Sequence, residues 1–149
     1  MKKIIYLILL ILFTSSCKTY SDDDKKNFDT QINSYLKKYK IKNLIRSKSG
    51  LYYKIIQEGK GKKIQYSDNV SFSYRGKLLN GTTVDFQKKP ITFAVKDLIT
   101  GWKEILLNSK AGAKVFMILP PSLGYGENDL DNIPPNSVLI FDMEIVKVQ

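Results

Sequence analysis

The chain has 149 residues, the length of one ordinary domain with an appendage. Hydrophobic residues make up 43% and aromatics 11%, enough apolar material for a core, so wholesale disorder is excluded. There are 24 Lys+Arg against 14 Asp+Glu (formal net charge +10), with no histidine and one cysteine. That inventory rules out a Ser-His-Asp triad, a Cys-His dyad, an imidazole acid or base, a Cys/His zinc site and an internal disulfide.

The first elements are an address. Lys2 and Lys3 precede an unbroken apolar run of ten residues, Ile4 to Phe13, and Thr14-Ser15-Ser16 lead to the lone Cys17. Ten helical residues rise about 15 Å, half of a ~30 Å hydrocarbon core, so the run is too short to span. Its layout is that of a cleaved signal peptide, residues 1–16. With the cysteine at the boundary it resembles a bacterial lipoprotein signal, although Thr14 stands where a leucine is usual. The resemblance implies lipidation of Cys17, a membrane anchor, and a place in the cell envelope, on the periplasmic face or the cell surface. An ordinary cleavage site with a free thiol is the alternative.

Residues 17–48 then read as a lipid-anchored tether containing one helix. Ser21-Asp22-Asp23-Asp24 suits a helix N-terminus, both as a cap and against the dipole. Phe28, Ile32, Tyr35, Leu36 and Tyr39 follow as an amphipathic stripe, predicted to pack on the next domain or on a second copy of itself. The acidic run also resembles tracts that route some lipoproteins to the cell surface. Residues 18–48 hold nine Lys/Arg against four Asp, whereas residues 49–149 hold thirteen basic and ten acidic residues. The basic excess therefore sits beside the anchor, where anionic headgroups or solubility account for it and nucleic acid does not.

From residue 49 the pattern becomes that of antiparallel strands. Leu51 to Ile56 is strand-like, and Gly59-Lys60-Gly61 lacks the spacing of a phosphate loop. Val70, Phe72 and Tyr74 share one face of a second strand, and Asn80-Gly81 turns it into Thr82 to Phe86. Ile91 to Val95 reads as another short strand. Leu98 to Leu107 has helical spacing, with Thr100 as its predicted cap. Val115 to Leu119 and Val138 to Val148 are β-rich, and Leu139, Phe141, Met143 and Ile145 alternate to one side. Between them Pro120 to Asn136 is a 17-residue loop with four prolines and two glycines, a length usually reserved for function. The predicted fold is α+β: a curved antiparallel sheet of about five strands with one short helix against it and a helical tether in front. Glu127, Asp129 and Asp131 alternate like calcium ligands, but Asn132 and Val138 occupy the positions that need Gly and Glu, so no metal is expected.

Six segments stand in one order: Tyr74-Arg75-Gly76, Thr83-Val84-Asp85, Leu98 to Trp102, Leu119 to Gly126, Ile133-Pro134-Pro135 and Leu139 to Asp142. Together they resemble the FKBP-type peptidyl-prolyl cis-trans isomerases over residues 49–149. The resemblance implies a sheet wrapped around one helix, a proline pocket, proline-containing polypeptides as clients, macrolides as inhibitors, and no cofactor. It also implies roles for residues. Tyr74, Asp85, Trp102, Tyr125 and Phe141 would be catalytic, with Trp102 as the floor. Val84, Ile91, Leu98, Ile99 and Ile133 would line the substrate site. The Ile99 N–H and Tyr125 hydroxyl would hold ligand carbonyls, and Asp85, which could equally be a surface turn charge, would as a buried acceptor tie Tyr74. Val84 and Ile91 stand where the family is commonly aromatic, which favours a rival reading as a non-catalytic proline-binding module or holdase.

The chemistry suits the composition. An X–Pro bond crosses a barrier of about 20 kcal/mol by twisting its amide out of conjugation, with no bond broken and no proton moved. A dry aromatic pocket favours the less polar twisted form, and lowering the barrier by about 5–7 kcal/mol gives roughly 10⁴–10⁵-fold acceleration.

Overall fold

A computed structural model describes residues 20–149 of the chain. The leader expected at residues 1–16 and the lipidation expected at Cys17 lie outside the described residues.

Helix α1 spans Asp22–Lys38. Its start is the predicted one: Ser21 caps it, accepting from the Asp24 N–H (3.1 Å), while the Asp24 carboxylate accepts from the Ser21 N–H (3.0 Å). Six strands follow among the described residues: β1 (Ile45–Arg46), β2 (Tyr52–Gln57), β3 (Asn69–Leu78), β4 (Thr83–Ala94), β5 (Lys114–Leu119) and β6 (Leu139–Val148). They form one antiparallel sheet in the order β1-β2-β5-β6-β3-β4, and helix α2 (Thr100–Leu107) lies between β4 and β5 in the chain. The α+β architecture is thus the expected one. The strand beyond the expected five is β1, whose two residues are too few to give a periodic signal.

Two boundaries differ from the sequence pattern. Ile91 to Ala94 continues β4, and Val95 opens a short 3-10 turn, Val95–Asp97. The pairing jumps from Phe72 with Ile91 to Tyr74 with Gln87, so Lys88, Lys89 and Pro90 bulge opposite Ser73 alone. Proline is tolerated there because β4 is an edge strand and the bulge asks no ladder N–H of it. Thr100 is the first residue of α2, and the N-cap is Ile99, which offers no side-chain cap.

Strand alternation divides the core between two faces. In β6, Leu139, Phe141, Met143 and Ile145 join Trp102, Ile105 and Leu106 of α2, together with Val70, Phe72, Val115 and Met117. The intervening Ile140 joins Ile118, Tyr52 and Val138 against Phe28 and Ile32 of α1. The amphipathic stripe therefore packs on the sheet of its own chain, except for Tyr39, which follows the helix and is 49% exposed. Arg46 locks the arrangement with two hydrogen bonds to Asp29 (2.6 and 3.2 Å), and the Tyr52 hydroxyl donates to the same carboxylate at 3.1 Å.

Candidate active site

Trp102 sits in the first turn of α2 and is 6% exposed. Three aromatic rings meet it nearly edge-on: Phe72 at 5.2 Å and 89°, Tyr74 at 4.8 Å and 73°, and Phe141 at 5.0 Å and 84° between centroids and planes. Edge-to-face contacts of this kind are worth about 0.5–1.5 kcal/mol each beyond burial, so the indole is held in one orientation. Gly76 makes room for the set, because a Cβ there would lie 2.6 Å from the Phe141 ring.

The remaining candidates gather around these rings. Val84, Ile133 and Phe141 are buried in the same core cluster as Trp102, and Tyr74, Ile91, Leu98, Ile99 and Tyr125 pack against it half-buried. Asp85 joins through a hydrogen bond from the Tyr74 hydroxyl to its Oδ2. Asp85 is exposed, which corrects the reading of it as a buried acceptor, yet it still ties Tyr74: its pairing with Gly76 puts it on the Tyr74 side of the sheet, and edge strand β4 leaves it at the rim, open to solvent. It remains close enough to act on both phenols. Burial, followed by the bond to Asp85, pushes the Tyr74 hydroxyl pKa well above its ordinary value. Burial and the Asp85 charge raise that of Tyr125 too. Both rings stay neutral donors at physiological pH.

Among the described residues, three donors of this cluster have no acceptor in the protein. Trp102 Nε1 is buried and unpartnered. The Tyr125 hydroxyl makes no hydrogen bond. The Ile99 N–H points into no ladder or turn bond, although the Ile99 carbonyl accepts from Trp102 and Lys103. Native proteins rarely leave such groups unpaired. Apolar walls with a few free donors are the makings of a site for a neutral, carbonyl-bearing ligand. No group of three or more His, Cys, Asp or Glu side chains among the described residues is placed to hold a metal ion.

Phe72 was not among the candidates read from the sequence. It is fully buried behind Trp102, and its place on the same strand face as Tyr74 is the signal that marks it. The long loop keeps its chain-specific shape through a 3-10 turn at Pro121–Leu123 and an antiparallel bridge between Leu130 and Ile133. An open groove of 480 Å³, bordered by Tyr74, Arg75, Phe86, Asp142 and Glu144, involves none of the free donors.

The profile of the FKBP-type peptidyl-prolyl cis-trans isomerases matches residues 60–146. The chain belongs to this family. It is 39% identical over 135 residues to the FKBP-type peptidyl-prolyl cis-trans isomerase FkpA of Buchnera aphidicola subsp. Schizaphis graminum, covering 87% of this chain and 53% of that protein. FkpA of Escherichia coli (strain K12) is 34% identical over 139 residues, 91% of this chain and 52% of its own length. The crystal structure of Escherichia coli FkpA superposes with a TM-score of 0.74 at 35% identity, over 85% of this chain and 61% of that one. A peptidyl-prolyl cis-trans isomerase from Pseudomonas syringae pv. tomato gives the same TM-score at 25% identity and is covered over 98% of its length. The chain spans about half the length of the curated relatives it matches. No helix among the described residues is long and apolar enough to cross a membrane.

Proposed function

We propose that this FKBP-type chain accelerates cis-trans rotation of X–Pro bonds in exported polypeptides, as a folding helper of the cell envelope. The observation that carries the reading is the aromatic cage around Trp102 with its unpaired donors, Ile99 N–H and Tyr125 O–H. A pyrrolidine ring placed on the indole would be desolvated by Tyr74, Phe141, Val84 and Ile133. The two donors would hold the flanking carbonyls while the amide between them turns. Asp85 would orient Tyr74 through their hydrogen bond. Nothing in the step needs a proton, a metal or a cofactor. The site stabilises the twisted, less conjugated amide by shape and dryness, which is differential binding of the transition state.

A second reading, a proline-segment binder or holdase without turnover, is favoured by Val84 and Ile91, which give the wall less aromatic surface. A protease-coupled assay of a proline tetrapeptide with residues 18–149 separates the two. Acceleration above background supports the isomerase; peptide binding without acceleration supports the binder. Macrolide inhibition of the same assay would extend the reading to that ligand class.

The division into a signal peptide (residues 1–16), a segment 17–48 attached at a lipidated Cys17 and an isomerase domain (49–149) belongs to the same proposal. Its support is the short apolar run ending at the lone cysteine. Two or more acyl chains on one residue anchor stably where one is marginal. Cys17→Ser should release the protein from the membrane fraction, and unaltered partitioning would refute the anchor.

A further inference from the structure

Tyr20 stands one residue before the cap of α1, outside every strand and helix. Its ring meets Phe28 edge-on at 5.3 Å and packs against the α1 face of the sheet. Its hydroxyl reaches across 116 residues of sequence and donates to Asn136 Oδ1 at 2.6 Å.

Asn136 closes the long loop. Its backbone is left-handed (φ +60°), and its N–H donates to the Gly126 carbonyl at 2.7 Å. Gly126 is left-handed as well (φ +62°), so two residues of unusual conformation form the neck of an excursion over residues 127–135. Within the excursion Leu130 and Ile133 exchange both backbone hydrogen bonds (3.1 and 3.0 Å). Ile133 is its one buried side chain, a pocket wall; its other residues are exposed. Packing gives so exposed a loop little to hold it, so hydrogen bonds do: the Gly126–Asn136 neck, the Gly126 N–H to the Pro121 carbonyl (3.0 Å), and the Asn128 N–H and Nδ2 to the Tyr125 carbonyl (3.1 and 2.8 Å). Tyr125, with its free hydroxyl, precedes the neck by one residue. A Cβ on Gly126 would come 3.7 Å from the Tyr20 hydroxyl, so the phenol lies against the neck itself.

We infer that Tyr20 is a positioning residue for the proline pocket. By pinning Asn136 it keeps the neck closed, and thereby holds Tyr125 and Ile133 in register with Trp102. This role rests on the isomerase reading and adds a control point on the segment that leads to Cys17. Because the Tyr125 hydroxyl grips the flanking carbonyl in ground and transition states alike, loosening it raises KM more than it lowers kcat.

The test is Tyr20→Phe in the full chain, which keeps the edge contact with Phe28 and removes only the hydroxyl. The KM for a proline tetrapeptide should rise about three- to tenfold, the worth of one hydrogen bond, with kcat essentially unchanged. Asn136→Gly, which keeps the left-handed backbone, should do the same, and the double variant should be no worse than either single one. An unchanged KM, a fall in kcat alone, or additive losses in the double variant would overturn the assignment. Amide exchange across residues 126–136 should quicken in Tyr20→Phe while the sheet stays protected. That readout needs no turnover: unaltered exchange refutes the pin even if the wild type isomerises proline, whereas a wild type without turnover refutes the isomerase reading.

Discussion

The two faces of one sheet are built to opposite ends. On the α1 face, Phe28, Ile32, Ile118, Ile140 and Val138 close against one another, and the polar groups at their margin are spent internally, with Asp29 taking Arg46 and the Tyr52 hydroxyl. On the α2 face β3 supplies Phe72 and Tyr74 and β6 supplies Phe141 around Trp102, and donors are left without acceptors. Neighbouring residues on β6 serve the two purposes: Ile140 seals, Phe141 lines. Closure marks a face whose job is stability, and unspent donors among apolar and aromatic side chains mark one awaiting a ligand.

Substitutions on the two faces should therefore fail differently. Trp102→Leu should reduce isomerisation by about 100-fold, some 2.7 kcal/mol of barrier lowering, in protein that still folds. Ile32→Ala should do the reverse, costing about 2–5 kcal/mol in denaturant unfolding and leaving kcat/KM of the folded fraction intact. If Ile32→Ala silenced the folded enzyme, the separation of the faces would be broken.

A finer contrast uses polar groups. Asp29→Ala strands Arg46 and the Tyr52 hydroxyl and should cost about 1–2 kcal/mol of stability with no effect on turnover. Tyr125→Phe removes a hydroxyl that has no partner in the protein, so its melting temperature should hold while kcat/KM falls about three- to tenfold. Matching melts and unequal rates sharpen the comparison; a destabilised Tyr125→Phe would show that hydroxyl engaged at home.

The smallest effect is with pH. Tyr74 and Tyr125 both titrate above the ordinary phenol value, first because they are buried and then because Asp85 faces them. Their neutral forms persist across about pH 6–9, and kcat/KM should be flat there. A phenol that holds its proton more tightly when folded contributes stability below its unfolded pKa and loses it as pH climbs, so unfolding should become easier above roughly pH 10. A bell-shaped rate profile near neutrality would mean that an acid or base takes part.

Much of this was legible in the residues. Period-two alternation in Leu139–Ile145 named one face of β6, and Ser21-Asp22-Asp23-Asp24 named the start of α1. The order of Tyr74, Trp102, Tyr125 and Phe141 named a cluster that the fold does assemble. What was hidden depends on distance in space. Between Val84 and Phe86, Asp85 reads either as a surface charge or as a buried partner of Tyr74; in space it is both exposed and bonded to Tyr74, a combination that only the pairing of edge strand β4 with β3 reveals. Thr100 reads as a cap, but the helix starts one residue earlier, with Ile99 at the N-cap and no side-chain bond to announce it. The Tyr20 contact with Asn136 joins residues 116 positions apart, beyond any local signal.

The most direct measurement is the rate of X–Pro isomerisation by residues 18–149, wild type beside Trp102→Leu, with peptide binding followed in parallel. An open face built around Trp102 should accelerate rotation by several orders of magnitude in the wild type, and most of that should vanish with the indole. Peptide bound by both proteins with neither rate above background would contradict it.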